Sequence, residues 1–383
     1  MNGNWVTAWG MAHCRVSRIA PKTAEKTVRG TVTGNVNGSK VRIRLSNTMG
    51  LQPLCVDSVY VRIADREAHR ILFSEKPEIT IDPGEQAISD PVDTQVTAGE
   101  EITVSMYYPG SGIPVSGNLT AVAIHSIKGN YAKDKSFATE KYKTLMSTFA
   151  PTEITEPMTT LAGVDVFTEG KACIVAAFGD SLTQMGNWVN PLKAHLYKEY
   201  PGNSALLNIG IGGNRLLRDT GVKMFKEMYG LAGLKRMQWD VFHISGLTTV
   251  ILELGTNDIF LPGSAGFMSP KPEERCSFEE LIGGYRQVIG ECRKRGIRVL
   301  GCTCIPCGLV KTFNEKTEEL RRKANHWITE SGEFDHVLDI AAWVADPNDK
   351  SYLNPEFDSG DHLHPNEKGG ALIAGNINPG LLV

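Results

Sequence analysis

With 383 residues and 41% apolar content, the chain is long enough for two domains, each with its own core. A formal net charge of −3, from 40 dispersed Lys and Arg against 43 Asp and Glu, gives no electrostatic reason to expect nucleic acid or an anionic membrane as partner. No apolar run reaches the roughly 18 residues that would span a bilayer, and eight cysteines are too sparse for a disulfide scaffold.

The first nine residues, MNGNWVTAW, lack the basic-then-apolar pattern of a signal peptide. The expected compartment is therefore a reducing cytoplasm, with export left open for a chain whose leader was removed. Cys173 and Cys302 lie in apolar runs, where a thiol behaves as a small hydrophobe. Cys304 and Cys307 match C-x-x-C but have no second pair and no thioredoxin-like setting, so packing is the expected role. The histidines form no H-E-x-x-H spacing, and neither a metal nor a cofactor is expected.

Residues 1–125 are patterned with period two. The run KVRIRL at 40–45 places Val41, Ile43 and Leu45 on one face, and Asn37-Gly38 before it is a hairpin signal. The alternation recurs at 59–63, 78–81 and 102–106, punctuated by Asp82-Pro83-Gly84 and Thr97-Ala98-Gly99. Short strands with Gly/Pro turns predict an antiparallel β-sandwich. Residues 126–170 show little periodicity and read as a connecting segment.

From residue 171 onward the pattern changes. Apolar strands are predicted at 172–178, 205–209, 249–254, 297–302 and 336–340, alternating with helices. A helix is expected over 188–200. The clearest spans 277–294, where Phe278, Leu281, Ile282, Tyr285, Val288, Ile289 and Cys292 form one stripe. Ser277 with Glu280 makes a capping box there, and Gly296 supplies the stop. The expected fold of 171–383 is an α/β, three-layer, doubly wound domain with a parallel five-stranded sheet.

Four short segments follow these strands or precede the last helix: Gly179-Asp180-Ser181, Asn208 to Asn214 with its glycines, Gly255-Thr256-Asn257-Asp258, and Asp361-His362-Leu363-His364-Pro365. Taken singly, each reads as a turn, a strand-to-helix link, a helix cap or a loop. All carboxyl ends of a parallel sheet lie on one edge, however, so the four segments converge on one crevice. A serine there becomes a nucleophile if a base can take its proton and fixed donors await the developing oxyanion.

In that order the segments resemble the blocks of the GDSL or SGNH hydrolase superfamily. The stretches 358–366, 285–290 and 41–47 are similar to a bacterial GDSL-like lipase/acylhydrolase subgroup with an N-terminal β-domain, and this likeness covers nearly the whole chain. The resemblance implies a flavodoxin-like catalytic domain in which Ser181 is the nucleophile, His364 the base and Asp361 its orienting acid. It also implies an oxyanion hole from the Ser181 and Gly213 backbone N–H groups and the Asn257 amide. Gly213 is chosen over Gly212 because it stands five residues after Asn208, and a side chain at 213 would crowd the ester. Asp180 is read as holding the turn and His362 as a loop residue. Leu182 to Trp188 departs from the family pattern and is expected to wall the pocket, with Asn187, Trp188 and Asn214 as pocket residues.

The implied function is hydrolysis of short-chain carboxylic esters, foremost acetyl groups on carbohydrate, with a small-molecule or oligosaccharide ester as the partner. A lipase or lysophospholipase, an acyltransferase with the same triad, and a non-catalytic sugar-binding protein stay open. The β-domain is expected to shape a rim or a homo-oligomer contact, or to bind sugar through Tyr107 and Tyr108. The stretch 141–148 is a candidate for reaching the pocket.

Overall fold

The computed structural model describes residues 3–16, 25–110, 114–118, 123–136, 138, 158–220, 228–264 and 269–383. The candidate stretch 141–148 lies outside them. The chain divides into two compact units, Met1–Ala172 with Pro201–Ala205, and Cys173–Tyr200 with Leu206–Val383. Among the described residues no helix is long and apolar enough to cross a membrane.

The first unit is built mainly on two five-stranded antiparallel sheets. One orders Asn4–Gly10, Leu161–Thr168, Gly38–Ser46 and Val92–Val96, with Gln86–Ile88 also paired to Gly38–Ser46. The other orders Ala123–Lys128, Lys26–Thr33, Glu101–Tyr108, Ser58–Ile63 and His69–Ile71. Val41, Ile43 and Leu45 are fully buried, as are Ile102, Val104 and Met106, so the period-two faces found their core.

Three expectations for this region change. No hairpin forms at Asn37-Gly38, because the strands on either side belong to different sheets. Gly38 instead opens a strand at a close approach: a Cβ there would fall 2.2 Å from Val166 Cγ1 and 2.4 Å from the Phe167 carbonyl oxygen. The segment 126–170 does more than connect, since Leu161–Thr168 lies between two strands of the first sheet and is buried on both faces. A strand buried on both faces shows no alternation, and its Asp165 is masked in sequence by pairing with Arg42 and Arg44. Finally, Tyr108 is buried with its hydroxyl 3.8 Å from Met106 Sδ, so Tyr107 and Tyr108 do not form an exposed aromatic platform.

The second unit carries a five-stranded sheet ordered Ser204–Asn208, Cys173–Gly179, Leu247–Glu253, Arg298–Cys302, His336–Leu338. Its last four strands pair in parallel, and helices such as Val189–Glu199, Phe278–Arg293, Glu315–Glu330 and Glu367–Asn376 link and flank them. The order 2-1-3-4-5 is that of a flavodoxin-like doubly wound sheet. Cys304 and Cys307 are buried in the core of this unit.

Helix Phe278–Arg293 shows why the pattern was readable. Leu281, Ile282, Tyr285, Val288, Ile289 and Cys292 are buried, while Ser277 Oγ accepts the Glu280 N–H at 3.1 Å and Glu280 Oε2 accepts the Ser277 N–H at 2.8 Å. Removing the cap leaves a helix-end donor without its partner. Ser277→Ala is expected to cost about 1 kcal/mol and to lower the melting temperature of this unit by about 2–4 °C, read by circular dichroism.

Candidate active site

The strand Cys173–Gly179 delivers Ser181 to the first position of a one-turn helix, Ser181–Gln184, whose N-cap is Asp180. Asp180 Oδ1 accepts the Leu182 N–H at 3.0 Å and fixes the turn. His364 arrives from the last loop, its Nε2 2.7 Å from Ser181 Oγ. On the other side of the ring, Nδ1 lies 2.5 Å from Asp361 Oδ2. With Nδ1 donating to the carboxylate, Nε2 is left to accept from the serine hydroxyl.

Asp361 also binds backbone. Its Oδ1 accepts the N–H groups of Leu363 at 3.0 Å and His364 at 2.8 Å. Partial burial would raise its pKa, but the His364 backbone and imidazole and the Leu363 N–H outweigh this and hold it at about 2. The loop is anchored at both ends. Asn187 Nδ2 donates to the Pro365 carbonyl at 2.8 Å, and Asn366 Nδ2 donates to the carbonyls of Glu356 and Asp358 while Asn366 Oδ1 caps helix Glu367–Asn376.

Asn257 sits on the short helix Thr256–Phe260 that follows strand Leu247–Glu253. Its Nδ2 donates one hydrogen bond to Asp180 Oδ2 at 2.7 Å, which orients the second N–H of the same amide. The Gly212 N–H is taken by Gln184 Oε1 at 3.0 Å, whereas the Gly213 N–H has no acceptor among the described residues. Gly213 has φ +70°, and a Cβ on it would fall 2.5–2.9 Å from the Tyr229 ring. A side chain at 213 is therefore already excluded by Tyr229.

Buried carboxyls brace this side. Glu253, at the end of its strand, accepts the Thr183 hydroxyl at 2.9 Å and the Asp180 N–H at 3.3 Å. Burial and the neighbouring Asp180 push the Glu253 pKa well up. Asp258 accepts the Leu216 and Leu217 N–H groups at 2.7 and 3.0 Å, tying the asparagine segment to the glycine segment. Its burial raises the pKa, the two N–H groups and Arg215 oppose this, and the net value is about 6.

The predicted pocket residues are placed differently. Asn214 is 1% exposed, its Nδ2 donates to the Tyr229 and Leu231 carbonyls, and its Oδ1 accepts from Arg236 Nε. Trp188 is buried, and Asn187 braces Pro365. Asn214 is thus locked into the interior while Asn187 is half-buried; the segment's exposed apolar side chain is Met185. The roles of Glu253 and Asp258 were hidden in sequence because Glu253 closes an apolar strand and Asp258 reads as a helix cap.

Two of these carboxyls give opposite pH signatures. Asp361, depressed in the folded state, stabilises above its ordinary value of 3.8 and loses that contribution as pH falls toward 2. Asp258, raised from 3.8 to about 6, favours the folded state fully below 3.8 and loses that contribution as pH rises through 6. Thermal unfolding of Asp258→Asn at pH 4, 5, 6 and 7 is expected to show a smaller fall across this window than the parent chain; an unchanged slope would contradict the assignment.

The model of the GDSL-like Lipase/Acylhydrolase family matches residues 177–372. No protein of curated function matches the sequence. Among solved structures, an acetyl xylan esterase is 22% identical at a TM-score of 0.38, over 53% of this chain and 96% of that one. A variant of an acetyl xylan esterase from Geobacillus stearothermophilus is 19% identical at 0.39, over 54% and 92%. A GDSL-like lipase from Bacteroides thetaiotaomicron is 16% identical at 0.37, over 53% and 84%. These three carry no argument about substrate. The matched span includes all four segments that meet at Ser181, and the chain belongs to the GDSL-like lipase/acylhydrolase family.

Proposed function

We propose that the protein is a serine esterase that hydrolyses short-chain carboxylic esters, with acetyl groups on carbohydrate as the substrate class. The observation that carries the reading is the continuous hydrogen-bonded chain Ser181–His364–Asp361. His364 Nε2 takes the hydroxyl proton as Ser181 Oγ attacks the ester carbon. The oxyanion is received by the N–H groups of Ser181 and Gly213 and the second N–H of Asn257. As the ester C–O bond breaks, His364 returns the proton to the leaving alcohol oxygen, and water then repeats the sequence on the acyl-enzyme to release acid and serine. Asp361 holds the tautomer and balances the transient imidazolium.

The surroundings of the proposed oxyanion site bear on acyl-chain length. The Tyr229 ring packs on Gly213, and the Gln184 amide occupies the space beside Gly212. Two bulky groups held this close favour a small acyl group. The carbohydrate assignment rests on the sequence resemblance to the subgroup with an N-terminal β-domain.

Ser181→Ala is expected to lower kcat on p-nitrophenyl acetate by about 10⁴ or more with the melting temperature maintained. Asn257→Ala should lower kcat by about 10²–10³ with a much smaller change in KM, since its contact forms with the oxyanion. Across p-nitrophenyl esters from acetate to palmitate, kcat/KM should be highest at the short end. A maximum beyond octanoate would overturn the acetyl reading and favour a lipase.

A further inference from the structure

The loop 358–364 holds a second imidazole–carboxylate pair beside the first. Asp358 Oδ2 lies 2.6 Å from His362 Nδ1, and Asp358 Oδ1 accepts the N–H groups of Gly360 at 2.8 Å and His362 at 3.0 Å. The arrangement repeats that of Asp361 and His364: one carboxylate oxygen takes two backbone N–H groups, the other takes Nδ1 of the ring. The difference lies in where each ring leads. His364 Nε2 meets Ser181, while the His362 side chain is 46% exposed.

The turn itself does not need this imidazole. His362 has φ +64°, a left-handed conformation that glycine adopts without cost and that strains other residues by on the order of 1 kcal/mol. A glycine at 362 would keep both backbone bonds to Asp358 and remove the strain. What histidine adds is a ring whose orientation and tautomer are fixed by a carboxylate that is only 11% exposed, with Nε2 directed away from it. Strain retained at a non-glycine residue next to reacting groups points to use of its side chain.

The chemistry of the site says which part of the substrate lies there. The group that returns its proton to the leaving alcohol must sit on the alcohol side of the ester, and that group is His364. His362 stands two residues before His364 on the same loop, with its ring partly exposed.

We infer that His362 is a specificity residue for the alcohol half of the substrate, its Nε2 accepting a hydrogen bond from a hydroxyl of a polyhydroxylated leaving group. This rests on the acyl-enzyme reading above and deepens it by assigning a contact to the carbohydrate side. The bond is worth what one neutral hydrogen bond is worth, about a three- to ten-fold preference.

The test compares two esters of one acyl group on the same three-carbon skeleton: glycerol monoacetate, which keeps two hydroxyls, and propyl acetate, which has none. The corresponding octanoates form a second pair. The parent chain should favour the glycerol ester in kcat/KM. His362→Gly, which relieves the strain, and His362→Asn, which tolerates the same backbone, should each lower the glycerol-to-propyl ratio about three- to ten-fold. A parent chain without preference, or variants with an unchanged ratio, would overturn the assignment. Equal losses on both esters together with a lower melting temperature would make His362 a loop staple and also overturn it. Cleavage of the octanoates alone would remove the acetyl reading while the octanoate pair still decides the role of His362.

Discussion

A single buried cation ties the strand that leads to Ser181 to the loop that carries Gly213. Arg236, on helix Gly233–Asp240, is fully buried and donates to the carbonyls of Gly179 at 2.8 Å and Ile209 at 3.0 Å and to Asn214 Oδ1 at 2.8 Å. Gly179 precedes the turn that carries Ser181, while Ile209 and Asn214 bracket the glycines that carry the proposed oxyanion donor. The charge is balanced by Asp240 at 3.1 Å and rests 4.3 Å from the Phe178 ring centroid. A guanidinium presents several donors in one plane, so it can bind separate carbonyls at once where an ammonium would act as a point charge. Its removal would take a donor from the Gly179 and Ile209 carbonyls and from the Asn214 amide, and the counter-ion from buried Asp240, the costly case for a buried ion. Loop separation in space is thereby set by a rigid fork, and the acceptors of the fork are the segments that must stay in register.

The second layer of control is a set of buried carboxyls whose pKa values are pushed up. Glu253 is buried next to another acid, which pushes its pKa well up, and it accepts the Asp180 N–H and the Thr183 hydroxyl. Asp180 then has one oxygen for the Leu182 N–H and the other for the Asn257 amide. One side chain thus sets both the serine turn and the direction of the asparagine's remaining N–H. Preorganisation of this kind matters because a donor already in place needs no reorientation when charge develops on the ester oxygen.

Much of this was legible in the chain. The period change near residue 171, the capping box at Ser277 and Glu280, and the strand-end positions of Ser181, Gly213 and Asn257 were all available from spacing, because parallel sheets place successive loops on one edge. What was not legible has a common cause: burial of polar side chains by partners far away in sequence. Asp165 interrupts the strand 161–168 in sequence and completes it in space through Arg42 and Arg44. Asn214 looked like a pocket residue until Arg236 and two carbonyls were found to use its whole amide. Asn37-Gly38 looked like a hairpin because the turn propensity of Asn-Gly is local, whereas the close packing against Val166 that requires Gly38 is not.

The two sides of the site are stabilised by different means. Asp180, Asn257 and Asp258 are buried, and their hydrogen bonds link strands and helices of the core, so they open only with the core. His364 and Asp361 depend on a loop that is folded by its own carboxylates and clamped by Asn187 and Asn366, with Asp361 half exposed to water. A half-exposed ion pair contributes little to global stability, and the bracketing of each imidazole by backbone-bound aspartate supplies the rigidity that burial supplies elsewhere. The loop side stays open to solvent, as the alcohol release proposed for it would need, while the side that carries the proposed oxyanion donors is held by the core. Ser181 stands at the join, with its backbone N–H on the rigid side and its hydroxyl bonded to the loop.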